Sequence, residues 1–196
     1  MANYNAIKYN GFSKGSLVLI KTLTASSSAN LSFVNGTSDV VLDSTYKEYM
    51  FIFNNIHLQT DGKRLTVNFR DGDTDYDATK TTTMFRSVHN EDGTDGELTY
   101  LTATDLAQST AAQRIAQNLG NDNDQSASGF LHLFNPSSTT FVKHFISKIN
   151  CSGNSDYPQT IYVSGYCNVT AAIDGVQFAT DSGNIDSGTI QLFGVS

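Results

Sequence analysis

The sequence predicts an all-β protein: an antiparallel β-sandwich of the jelly-roll kind, with one short helix near residues 104–119. Three observations carry this expectation. Between Phe130 and Val195 short apolar runs recur (FLHLF, FVKHFI, IYVSGY, VQFAT and TIQLFGV), each bounded by Gly, Asn, Asp, Ser or Pro. Runs of that length, rich in β-branched and aromatic residues and separated by turn residues, are how sandwiches and barrels read. In the first half, Lys63–Arg70 alternates strictly, with Leu65, Val67 and Phe69 on one face and Arg64, Thr66, Asn68 and Arg70 on the other. That is the period-two pattern of a half-buried strand. Finally, hydrophobic residues make up 39% and aromatics 11% of the 196 residues, enough to fill a core.

Each element follows in order. Residues 1–16 are polar with Tyr4, Tyr9 and Phe12 interleaved, and they show neither strand nor helix period. Such a segment is too polar to fold alone. It reads either as a frayed terminus or as an assembly arm whose three aromatics anchor it on a neighbouring subunit; the arm is the expectation. Residues 17–196 form a single domain, with two β domains of about 100 residues as the alternative. Strands are expected at Leu17–Thr24 and Asn30–Val34. EYMFIFNNIHL (48–58) points Tyr49, Phe51 and Phe53 one way and Met50 and Ile52 the other. Two apolar faces predict a central strand covered on both sides. Asp61-Gly62 turns the chain into the strand at Lys63–Arg70.

An acidic loop (71–79), a strand (82–89), a second turn-rich loop (90–97) and a short strand (98–102) come next. The helix is placed at Thr104–Leu119. Thr104 or Asp105 would cap it, Leu106, Ala111, Ile115 and Leu119 would form its apolar stripe, and Gly120 would end it. A loop (121–129) leads to the five C-terminal strands, with a turn at Asn135-Pro136. Pairing 141–150 with 160–169 as a hairpin puts Cys151 at the turn end and Cys167 beside Lys143. The two cysteines are then too far apart for a disulfide, so both are expected to be free.

Charged residues are only 16% of the chain, against roughly 25% in an average globular protein. Ser, Thr, Asn and Gly take their place. That balance is common where many copies of one protein sit side by side and like charges would accumulate. The net charge is −7, with 12 Lys+Arg. No basic stripe is present to neutralise a run of phosphates, which argues against nucleic-acid binding. The start lacks the basic and apolar regions of a signal peptide, and Leu17–Ile20 is far too short to span a membrane. The expectation is synthesis in a reducing cytoplasm and no membrane partner.

Asp71, Asp73, Asp75 and Asp77 resemble the opening of a calcium loop, because carboxylates at every second position can converge on one hard cation. An EF-hand loop needs Gly at its sixth position and Glu at its twelfth. Those positions hold Tyr76 and Thr82, so the candidates are an irregular calcium site or a solvated hairpin loop. His57, His89, His132 and His144 have no metal-binding spacing. There is no nucleophile elbow, Walker sequence or dinucleotide fingerprint. The expectation is no enzyme and no cofactor, with a polysaccharide-degrading carboxylate pair as a third-ranked class.

Several stretches carry a family resemblance. LFNPSSTTFVKHF (133–145), SGYCNVTAAIDGVQF (164–178) and SGNIDSGTIQLFGV (182–195) resemble a family of virion structural proteins of tailed bacteriophages, abundant among marine and cyanobacterial phages. STYKEYMFIFNNIH (44–57) and DLAQST (105–110) look like the same family, in the same order. The resemblance covers residue 17 onward and leaves out the arm. It implies a place in the virion, on the particle exterior, as a capsid decoration (cement) subunit or a fibre or appendage subunit. The implied partners are the major capsid protein or other virion proteins, together with further copies of the chain. In the fibre reading the protein is a receptor-binding module, and loops 71–79, 90–97 and 121–129 would meet a host glycan or protein.

Overall fold

The computed structural model describes residues 17–196, so the arm residues Tyr4, Tyr9 and Phe12 lie outside the described part. The described residues form twelve strands. They are β1 (Leu17–Thr24), β2 (Asn30–Val34), β3 (Glu48–Leu58), β4 (Lys63–Arg70), β5 (Lys80–His89) and β6 (Gly96–Tyr100). The second half adds β7 (Gln113–Leu119), β8 (Ala127–Phe134), β9 (Lys143–Gly153), β10 (Tyr157–Cys167), β11 (Gly175–Thr180) and β12 (Ile185–Val195). Every pairing between them is antiparallel.

One path runs β1-β12-β3-β8-β9-β7-β4-β11-β2, and a branch, β10-β5-β6, leaves β9. The step from β9 to β7 is a single residue pair, Leu119 with Gly153. On either side of that step lie two broad runs, β1-β12-β3-β8-β9-β10-β5-β6 and β2-β11-β4-β7. The link after β1 stays bonded to β12: Ala25 N–H donates to Gly188 O and Ser28 N–H to Ile185 O before the chain turns into β2. The two ends of the path therefore lie side by side, and the sheet is nearly closed and barrel-like.

The core sits between the runs. Phe178 of β11 meets Phe51 and Phe53 of β3 edge-on, with ring centroids 5.3 and 5.0 Å apart. Phe33 of β2 meets Phe51 at 5.3 Å, and Phe69 of β4 meets Phe145 of β9 at 4.9 Å. Leu65, Val67, Phe69, Leu131, Leu133, Val163 and Phe178, the core residues read from alternation, are all buried. The hairpin β9–β10 pairs Cys167 with Lys143 and Cys151 with Gln159. Both cysteines are buried and free.

Two expectations change. The helix at 104–119 does not form, and the described residues contain none. Its first half is held against β5 by bonds that a helix would need for itself. Thr82 N–H donates to Leu106 O, and Lys80 and Ser109 exchange N–H···O bonds at 2.8 and 2.9 Å. Gln108 adopts φ 49°, which a right-handed helix excludes. Its second half is β7, where Gln113, Ile115, Gln117 and Leu119 all point inward. The apolar spacing came from two members of a period-two face whose other members are buried glutamines. The second change is at β3. It is central, between β12 and β8, but of its two faces one is buried (Tyr49, Phe51 and Phe53, with Ile56 and Leu58 further along), whereas Met50 and Ile52 lie half-buried on the outward side.

Candidate functional site

The outward side of the broader run is the largest feature the sheet builds. Residues directly opposite in an antiparallel ladder share a face. One row across the strands reads Leu19, Phe193, Met50, His132, Ile146, Ser164 and Thr83. The next reads Ile52, Phe130, Lys148, Tyr162, Phe85 and Tyr100. Strand alternation puts Leu, Phe, Ile and Tyr where a sheet with one solvated face carries polar side chains. Leu19 is 52% exposed, Ile146 48% and Tyr100 53%. The aromatics are ordered among themselves. Phe85 and Tyr162 stack at 4.7 Å with planes 8° apart, and Lys148 Nζ lies 5.4 Å from the Tyr162 centroid. His132 packs edge-on against Phe130 at 5.1 Å, and its Nδ1 pairs with Glu48.

The inward side of the same strands carries an unexpected row, Lys80, Cys167 and Lys143, on β5, β10 and β9. All three are fully buried. Lys80 Nζ donates to Ala78 O at 2.7 Å, to Thr110 O at 3.4 Å and to Asn68 Oδ1. Lys143 Nζ donates to Val169 O at 2.7 Å. Burial lowers the Lys80 ammonium to about 8, and it lowers Lys143 as well. Burial also pushes the Cys167 thiol up to about 12, with the two lysines opposing the rise, and it pushes Cys151 up to about 12. Thiols so protonated are poor nucleophiles. Lys80 ties β4, β5 and the 109–110 segment together, and Lys143 ties β9 to the segment after β10. Sequence reading missed them, although Lys143 is in phase with Phe145, Ser147 and Ile149.

Of the calcium candidates, Asp71, Asp73 and Asp77 come together, with one ligand atom from each within 4.8 Å of the others. Asp75 is outside this group, and its N–H donates to Asp73 Oδ1 at 2.8 Å. Burial raises the Asp71 carboxyl above its usual range, and Asp77 and Asp73 add to the rise. The neighbouring cation does not relieve them, because Arg70 is held by both oxygens of Asp174 at 2.9 and 2.8 Å. Oxygen ligands of this type suit a hard cation.

The three loops of the receptor-binding reading do not share one end. Loops 90–95 and 121–126 gather at the β9–β10 turn, where Glu91 N–H donates to Asp156 O and Gln125 Nε2 to Asp156 Oδ1. Loop 71–79 follows the far end of β4, whose near end is fixed by Gly62 N–H donating to Leu119 O. Beside the 121–126 loop is a polar cleft of about 480 Å³ lined by His57, Asp124, Gln125 and Asp186. His57 Nδ1 lies 3.5 Å from Asp186, and its Nε2 lies 3.2 Å from Asn121 O. His89 ends β5, and His144 packs edge-on against Tyr166 at 5.9 Å. The four histidines lie on four different strands of the broader run, β3, β5, β8 and β9.

Comparison with known protein families, with curated proteins and with solved structures finds no match to the chain.

Proposed function

We propose that this protein is a structural subunit of a tailed-bacteriophage virion that binds the particle exterior as a decoration or cement subunit. The observation that carries the reading is the outward face: two registered rows rich in aliphatic and aromatic side chains across a broad sheet. A stable contact buries on the order of 1,600 Å², and a wide apolar face meets that need without a deep pocket. In this proposal the two runs act as the layers of a β-sandwich, supported by the Phe178, Phe33 and Phe69 contacts between them. The partners are the major capsid protein or other virion proteins and further copies of the chain. The aromatics of residues 1–16 add anchors on a neighbour. The mechanism is interface burial, repeated with avidity over many sites.

The test is incorporation. Purified particles should contain the protein, and a side-chain-resolution particle image should place β3, β8 and β9 against another subunit. Replacing Ile146 and Leu19 by Lys, both exposed, should leave the melting temperature unchanged and reduce incorporation. Particles that lack the protein, or that carry the double variant in full, would sink the proposal. The polar cleft at His57 and Asp186 supports a second reading, a fibre or appendage module whose 121–126 loop meets a host glycan. Retention of the protein on host cells, abolished by Asp124→Ala and Asp186→Ala, distinguishes it.

A further inference from the structure

The branch β10-β5-β6 ends in an open edge. Among the described residues β6 pairs with β5 alone, and its residues are exposed apart from a half-buried Thr99. Leu98 is 75% exposed, and it shares the outward face with Tyr100 and Phe85. Natural edges are blunted by Lys, Pro or a bulge. β6 reads Gly96-Glu97-Leu98-Thr99-Tyr100, and its register against β5 runs without a shift. Its one charge, Glu97, is paired within the chain to Arg86.

The hydrogen-bond parity of this edge is fixed. Asn90 N–H donates to Asp95 O, and Leu101 N–H donates to Met84 O. These bonds bracket the strand, and ladder bonds alternate along an antiparallel pair. Residues 95, 97, 99 and 101 therefore bond toward β5, and Gly96, Leu98 and Tyr100 present their N–H and C=O groups to the free side.

We propose that β6 is a self-association edge, at which a second copy of this chain adds its own β6 antiparallel across a two-fold axis centred on Leu98. Three complementarities single out this register. Leu98 meets Leu98 of the second copy, so the most exposed large apolar side chain among the described residues is covered by itself. Tyr100 falls opposite Gly96, where the missing side chain leaves room for the ring. Glu97 falls opposite Thr99, so no like charges face each other, whereas centring on Glu97 would oppose two carboxylates. Each hydrogen-bonded pair exchanges two N–H···O bonds, so the three pairs that parity allows make about six. Tyr100 is already positioned, because its hydroxyl donates to Asp105. The edge is short, so the contact belongs with small, weak interfaces. The inference does not depend on the virion reading.

Sedimentation of the full chain up to about 1 mM, a concentration that reports weak contacts of this class, should show a reversible monomer–dimer equilibrium. Leu98→Lys should raise the dissociation constant at least tenfold with no change in melting temperature, because the side chain is exposed. Register is read by cross-linking. In Leu98→Cys the two new cysteines face each other at about 5.5 Å between Cα atoms, within disulfide reach. That variant should form a covalent dimer under mild oxidation. Glu97→Cys should not, since residue 97 faces residue 99 and not itself. The native Cys151 and Cys167 are buried and do not compete. A chain that stays monomeric throughout overturns the proposal. So does a dimer untouched by Leu98→Lys, or cross-linking of Glu97→Cys in place of Leu98→Cys.

Discussion

Truncating Phe178 to Ala tests whether the two runs are held together as described. Phe178 is fully buried and sits on β11. Its ring meets Phe53 at 5.0 Å, Phe51 at 5.3 Å and Phe33 at 6.3 Å, all edge-on. Two of these partners belong to the opposite wall, so the substitution opens a cavity where the walls meet. Phe→Ala in a core costs about 3–5 kcal/mol in lost transfer energy and cavity. Edge-on aromatic pairs add about 0.5–1.5 kcal/mol each beyond area burial. Phe51 and Phe53 sit on β3, which is fixed on both sides by ladders, and this limits collapse into the void. A loss near 5 kcal/mol is expected, a large share of the 5–15 kcal/mol that a domain commonly has. Urea unfolding followed by tyrosine fluorescence measures it, and Phe178→Leu should lose less than half as much. A loss under about 2 kcal/mol for the Ala variant would refute the packing argument, since it would mean that the walls close without this ring.

Further outcomes follow from the buried cations, the acidic loop and the bulge in β12. Lys80 has a folded pKa of about 8 against 10.5 unfolded. Between those values the unfolded chain binds the proton and the folded chain does not, so stability rises with pH across that window. The rise is on the order of 3 kcal/mol by pH 11, and it should vanish in Lys80→Met; a flat wild-type profile would contradict it. Asp71 has a raised folded pKa, so protonation favours the folded form, and stability from this group grows as pH falls through that value. Asp71→Asn should therefore raise the melting temperature at neutral pH in chelator. A fall seen only with millimolar calcium would instead mark the cluster as a cation site. Gly188 adopts φ +106°, and a Cβ there would lie 2.4 Å from Asn55 O, so Gly188→Ala should cost about 2 kcal/mol or more. Neither Cys151 nor Cys167 should react with a thiol reagent at pH 8 until the chain unfolds, and rapid native labelling would refute their burial.

Much of the fold was legible because alternation, when one face is solvated, writes itself in the residue types. β4 shows this, with Leu65, Val67 and Phe69 inward, and so do β8 and the β9–β10 hairpin. Reading failed where the inward face was polar. β7 buries Gln113 and Gln117, where Thr82 Oγ1 donates to the Gln113 side-chain oxygen and Gln159 Nε2 to the Gln117 main-chain carbonyl, so its period two was invisible and a helical spacing took its place. The same cause hid Lys80 and Lys143. At β3, Met50 and Ile52 signalled a second covered side, and among the described residues no second layer covers them. Residue types report that a face avoids water, but they do not report what covers it. For the site, the acidic loop placed three of its four carboxylates together. The outward rows were not legible, because they are assembled across β12, β3, β8, β9 and β10 and exist only in register.

The place of β12 has a consequence for synthesis. Residues 185–195 pair with β1 on one side and β3 on the other, so until they leave the ribosome β1 has no strand neighbour and β3 has only β8. Until then Tyr49, Phe51 and Phe53 on β3 lack half their lattice, and a nascent chain must carry them uncovered. Closing such distant segments is intrinsically slow. Folding is thus deferred until β12 has been made, and a chain stalled before residue 185 should be bound by chaperones or degraded rather than partly folded.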